Sequence, residues 1–170
     1  GGHRALFLPA PGDRLVGVLT LTQQIARGFE LPVVAAGGIM DGSGIAAALA
    51  VGAQAAQLGT AFMVAREAGA PLALRRTLLD QRASPIVVTR VFTGKPARVL
   101  RNRFVELMEK PGTPILPWPH QGPLTLALRR AALKDERRDF MFLLAGQGAP
   151  FMREMPAGAL VREYLADYRR

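Results

Sequence analysis

The sequence predicts an α/β fold with parallel strands, and three observations lead there. Leu31-Pro-Val-Val-Ala-Ala-Gly-Gly-Ile39 sets a short apolar, β-branched run behind a proline and ends it on two glycines. That is the pattern of a fully buried parallel strand. The alanine-rich run Gly44-Ile-Ala-Ala-Ala-Leu-Ala50 then reads as helix, with Asp41 or Ser43 placed to cap its start. About twenty residues after the first strand, Ala53-Gln-Ala-Ala-Gln-Leu58 repeats the short-strand pattern and closes on Gly59-Thr60. Strand 32–36, helix 43–51 and strand 53–58, joined by short turns, make one βαβ unit.

The strand ends carry the functional signal. Gly37 and Gly38 have no Cβ to hold a phosphate away from the backbone, and a helix start behind them offers N–H groups and a positive dipole end. Gly59 and Thr60 stand in the same place on the next strand. Two glycine-ended strands at this separation match the phosphate clamp formed by the last two βα loops of a (β/α)8 barrel. Read singly, each pair is better taken as a packed turn; the spacing of the two favours anion binding.

Composition narrows the classes. At 170 residues the chain is long enough for one core, and no run approaches the roughly eighteen apolar residues of a membrane span. With no cysteine, disulfides and thiolate metal sites are excluded, and His3 and His120 are too few for a histidine metal site. No metal is expected. The net charge of +9 invites a nucleic-acid reading. However, the basic residues run no longer than pairs and aromatics are only 6% of the chain, so no stacking platform is present. The charge reads as a solvated surface, and neither a nucleic acid nor a membrane is expected as partner.

Taken in order, Gly1-Gly2-His3-Arg4 reads as the tail of a glycine-rich loop whose strand precedes the chain, so a fragment of something longer is expected. Leu15 to Phe29 has helical apolar spacing. After Thr60 the pattern changes: 66–81 reads as a helix broken near Pro71, and Pro85 to Phe92 as a β-branched strand. Residues 97–110 read as an amphipathic helix, and 111–123, with five prolines and two glycines, as an extended linker. Helices are expected over 124–133, 139–145 and 156–169, with Gly146-Gln147-Gly148 interrupting them.

Few side chains could do chemistry. His3 titrates near neutrality and follows two glycines, which suits a general base on a loop; it reads equally as a surface histidine. Gln57, Gly59 and Thr60 offer an amide, a backbone N–H and a hydroxyl to a phosphate or a flavin edge. Gln147 offers an amide on a turn that is otherwise a joint between helices. Thr93-Gly-Lys-Pro-Ala-Arg98 is a basic turn without P-loop spacing, and the carboxylates form no convergent pair.

The ordered set Gly1-Gly-His-Arg4, Leu31 to Ile39, Ala46 to Ala53, Gln57-Leu-Gly-Thr-Ala-Phe62, Thr93 to Arg98 and Ala145-Gly-Gln147 resembles the C-terminal part of a nitronate monooxygenase, a family formerly called 2-nitropropane dioxygenase. The resemblance implies part of a TIM barrel, its last strands and helices, with an added C-terminal helical segment. It assigns 1–65 to the barrel units with the phosphate loops and 66–170 to the helical segment packed on them. It implies non-covalent FMN, with Gly37, Gly38, Gln57, Leu58, Gly59 and Thr60 at the phosphate, and Gly1 and Gln147 also in the cofactor site. His3 matches the catalytic histidine that takes the α-proton of a nitroalkane. The implied partners are a small nitro compound or nitronate and O2, with a missing N-terminal half or an oligomer partner completing the barrel, in the cytoplasm. An FMN-dependent enoyl-acyl-carrier-protein reductase, or a non-catalytic barrel fragment, is the alternative.

Overall fold

The computed structural model describes residues 15–80 and 82–169. Its first unit is the expected one. Helix α1 (Val18–Gly28) leads to strand β1 (Val34–Ala36), helix α2 (Gly42–Ala50) and strand β2 (Ala55–Gln57). The two strands pair in parallel, Val34 with Ala55, Ala35 with Ala56 and Ala36 with Gln57. Ala35, Ile39, Ala48 and Ala53 form a small core between the strands and α2, with Val18 of α1 against it. Small side chains let the helix lie close to the strands.

β1 departs from expectation in one respect. It is not buried on both faces: Ala35 is covered, but Val34 is 55% exposed and Leu31, just before it, 72% exposed. Parallel strands bury both faces only when elements cover each side. Among the described residues α1 and α2 cover one side, and the other is open.

Beyond β2, a 3-10 turn (Thr60–Phe62) leads to α3 (Leu72–Asp80), which starts directly after Pro71 as a fixed-φ proline permits. β3 (Ile86–Thr89) then pairs antiparallel with β4 (Ala97–Leu100). The helix expected over 97–110 is therefore a strand followed by a short helix, α4 (Arg103–Met108). Asn102 makes the division. Its side-chain oxygen accepts from Val105 N at 3.2 Å, capping α4, while its Nδ2 donates to Met141 O at 2.8 Å. An N-cap residue has extended backbone, so it stops a helix from running in from 97.

The helix expected over 139–145 is likewise absent. After α5 (Gln121–Lys134) and a 3-10 turn (Arg138–Phe140), the chain extends and Leu144 bridges Val99. Leu100 N donates to Leu143 O at 2.9 Å and Ala145 N to Arg98 O at 3.1 Å. The free edge of β4 captures this segment, and Leu143 and Ala145 enter the main core. That core also takes Met40, Ala61, Val64, Leu78, Leu100 and Leu160, so it draws on residues from 40 to 164. A second cluster of Val91, Phe92, Val99, Phe104 and Val105 sits at the hairpin, with Phe92 stacked on Phe142 at 4.6 Å. The last helix, α6 (Ala157–Tyr168), crosses the start of α2. A Cβ on Gly42 would collide with the Tyr164 carbonyl and lie 2.6 Å from Asp167 Cβ, so glycine is what lets the two helices meet.

Two polar contacts tie these parts together. Gln121 is fully buried; its Nε2 donates to Val91 O at 2.7 Å and its Oε1 accepts from Leu116 N at 3.0 Å. Thr125 adds a bond to Phe92 O at 2.7 Å, so α5 holds the hairpin loop. At the other end, α6 starts after Pro156, which offers no capping side chain, and Glu67 caps it from a distance: Ala157 N donates to Glu67 Oε2 at 2.8 Å.

Both contacts are testable. Gln121→Leu leaves two backbone groups without partners and should cost about 2–4 kcal/mol in urea unfolding; a loss below about 1 kcal/mol would contradict this account. The amide of Ala157 holds the Glu67 carboxyl below its ordinary value. The unfolded chain therefore binds the proton first, so the contribution is full above the ordinary 4.5 and is lost as pH falls from there through the lowered folded-state value. Stability curves of wild type and Glu67→Gln should converge once pH has fallen below that lowered value. Parallel curves would remove the capping role.

Candidate functional site: three glycine-bearing turns at adjacent strand ends

Because Ala36 pairs with Gln57, the two strands end side by side. The turns that follow, Gly37-Gly38 and Leu58-Gly59-Thr60, leave neighbouring points about 5 Å apart, the spacing of paired strands. Gly37 and Gly38 take φ of 119° and 78°, the left-handed region that favours glycine. A Cβ at Gly38 or at Gly59 would meet nothing within 4 Å. The backbone at both turns thus faces open space. Gln57 and Gly59 are exposed and Thr60 half-buried, whereas Leu58 packs against two of the hydrophobic clusters and leaves only its backbone to a ligand.

A third turn closes the arrangement. The strand-like segment 143–145 on the edge of β4 delivers Gly146, whose N–H donates to Thr60 Oγ1 at 3.0 Å. Gly148 seats against the other loop: a Cβ there would lie 2.7 Å from Met40 Sδ and 3.3 Å from Gly38 O. Gln147, between these two anchored glycines, is exposed. The structure therefore brings together Gly37, Gly38, Gln57, Leu58, Gly59, Thr60 and Gln147. Gly1 and His3 lie outside the described residues.

The helix start does not serve as the sequence suggested. Asp41, not Ser43, caps α2, with Gly44 N donating to Asp41 Oδ1 at 2.8 Å, and Gly42 is pressed against the carbonyl end of α6. A carboxylate and a carbonyl already occupy the positive end of the dipole. The strand-end turns, not the helix start, keep their backbone open. What remains chemically is a set of backbone groups, one hydroxyl and two amides, which can hold an oxyanion but cannot transfer a proton at neutral pH.

An open cleft of about 470 Å³ adjoins the site, lined by Met40, Asp41, Arg82, Phe151, Arg153 and Asp167. Its cations already hold protein acceptors. Arg82 donates to Leu79 O at 2.7 Å, and Arg153 pairs with Glu163. The Thr93–Arg98 turn does not join the site; it forms the β3–β4 connection, with Lys95 Nζ 4.9 Å from the Trp118 ring. His120 is exposed. Among the described residues no cluster of metal ligands occurs, and no helix is long and apolar enough to cross a membrane. The sequence had not pointed to Met40 or Gly148 as site supports. The Gly-Gln-Gly spacing was a signal, but its partner in the first loop was not visible.

The family described as nitronate monooxygenase matches residues 1–167. The nitronate monooxygenase of Pseudomonas aeruginosa is 45% identical over 99% of this chain and 48% of its own length. A probable nitronate monooxygenase of Bacillus subtilis is 40% identical over 91% and 44%. Among solved structures, nitroalkane oxidase from Streptomyces ansochromogenes superposes with a TM-score of 0.84 at 47% identity, covering 91% of this chain and 44% of that one. FabK from Thermotoga maritima superposes at 0.74 with 30% identity, covering 92% and 50%. The chain spans about half the length of the curated relatives it matches. The chain belongs to the nitronate monooxygenase family.

Proposed function

We propose that the chain is the phosphate-gripping part of an FMN-dependent nitronate monooxygenase. The observation that carries the reading is the convergence of Gly37-Gly38, Gly59-Thr60 and Gly146-Gln147 at adjacent strand ends, with open space before Gly38 and Gly59. These residues fit a phosphate: backbone approach is unobstructed, and Thr60 can still donate its hydroxyl proton while accepting from Gly146.

In this reading Gly38, Gln57, Leu58, Gly59 and Thr60 hold the FMN phosphate through backbone groups and the hydroxyl. Gly37 shapes the turn, and Gly1 and Gln147 line the cofactor. His3 takes the α-proton of a neutral nitroalkane on an imidazole nitrogen, and the resulting imidazolium stabilises the nitronate oxygens. Bound FMN supplies the redox chemistry, oxidation of the nitronate with O2 to a carbonyl compound and nitrite. Residues 1–65 then belong to the last units of a (β/α)8 barrel and 66–170 to the helical segment against it, in a cytoplasmic enzyme. A FabK-like reductase acting with a reduced nicotinamide is the second reading, supported by the superposition on FabK. The higher identity to nitronate monooxygenases places it second.

The first test is the visible spectrum of the protein after mixing with FMN and desalting; retained flavin bands are expected, and a colourless protein sinks the cofactor assignment. Nitrite release from a nitronate then separates the two readings, since oxidation of a reduced nicotinamide without nitrite would favour the reductase. His3→Ala should slow oxidation of a neutral nitroalkane about 10²-fold or more, with preformed nitronate much less affected. Equal slowing of both substrates would remove the base assignment. Gly38→Val places a branched side chain at a positive φ and fills the open space, so flavin retention should fall at least tenfold while the far-ultraviolet spectrum stays native. Undiminished retention would move the phosphate elsewhere.

A further inference from the structure

Thr60 Oγ1 stands between two functions. Its oxygen accepts the Gly146 N–H at 3.0 Å, and its proton is available to a phosphate oxygen in front of Gly38 and Gly59. A hydroxyl can donate once while accepting, and donation to an anion makes its oxygen a stronger acceptor. The far end of the same turn is seated by shape. Gly148 lies so close to the buried Met40 that a Cβ at 148 would overlap that side chain, and the Gly38 carbonyl is 3.3 Å from the same point. The two anchors flank one residue, the exposed Gln147.

We propose that Thr60 and Gly148 are positioning residues that lock the Gln147 turn onto the two phosphate loops, so that binding of a phosphate-bearing ligand tightens the turn that carries Gln147. The inference rests on the phosphate-site reading above and extends it from a site that holds a ligand to one that senses it. Coupling of this kind is reciprocal: a turn held in place improves ligand affinity by the same factor by which ligand steadies the turn. The hydrogen-bond relay at Thr60 carries the electrostatic part. The seat of Gly148 on Met40 carries the steric part, because a Cβ at 148 would displace the Met40 side chain that holds the turn in place.

The experiment measures amide hydrogen exchange at Gly146 in the full-length protein, with and without FMN, alongside retained flavin absorbance. In wild type, FMN should slow Gly146 exchange at least tenfold. Thr60→Val should abolish the slowing and Thr60→Ser should keep it, because only the hydroxyl is required. Gly148→Ala should also abolish the slowing and weaken flavin binding by the same factor, with Gly38, Gly59 and Thr60 still retaining part of the flavin. Met40→Ala in the same chain should restore it by making room. That rescue distinguishes a lost seat from general damage. Flavin retained with no slowing of Gly146, or slowing that survives Gly148→Ala, overturns the coupling and leaves the phosphate reading standing. A protein that retains no flavin overturns both.

Discussion

The register between β1 and β2 governs the rest of the molecule. Parallel pairing of Ala36 with Gln57 means that both chains leave the sheet at the same level and in the same direction. In an antiparallel pair the strands would end at opposite levels, and Gly38 and Thr60 would be separated by the strand length. A slip of one residue would turn Ala35 outward and put Val34 against α2, in the place Ala35 shares with Ala48 and Ala53. The alanines of this unit therefore do more than form helix and strand. They set the pairing, and the pairing sets the site.

The second half of the chain supports that geometry from a distance. β4 offers its free edge to 143–145, α5 holds the hairpin loop through Gln121 and Thr125, and the core fills with Leu100, Leu143 and Ala145. Each step fixes where Gly146 emerges. The turn at 146–148 then touches both strand-end loops across long stretches of sequence, Gly146 reaching Thr60 through a hydrogen bond and Gly148 reaching Met40 through contact. A site assembled this way depends on the whole core, because a shift of β4 would carry Gln147 with it.

Much of this was legible in the sequence, and the reasons differ by region. The βαβ unit announces itself because its signals are local: a proline, a β-branched run, a pair of glycines and a helix-forming stretch in the right order. The glycine and threonine positions of the site follow from the same signals, and the Gly-Gln-Gly turn was visible as an interruption. Where local signals compete, the reading fails. Leu100, Phe104, Leu107 and Met108 have helical spacing, but Asn102 forms a cap with a partner at Val105 and a second bond at Met141 that no local pattern reveals. Leu143 to Ala145 extend because β4 has an unfilled edge, a tertiary fact. Asp41 as the cap of α2 was among the expected choices, yet its consequence, that the helix end is no longer open to an anion, required the position of α6.

The uncovered side of β1 and β2 also bears on how the isolated polypeptide behaves in solution. Val34 and Leu31 present apolar surface beside short strands whose outer backbone groups lack sheet partners among the described residues. On the covered side, Leu19, Leu21 and Ile25 of α1 also leave apolar surface exposed. Such a surface recruits further strands or apolar faces wherever it finds them. At high concentration this apolar face would be prone to self-association, and mild detergent would be the natural additive for keeping the polypeptide dispersed.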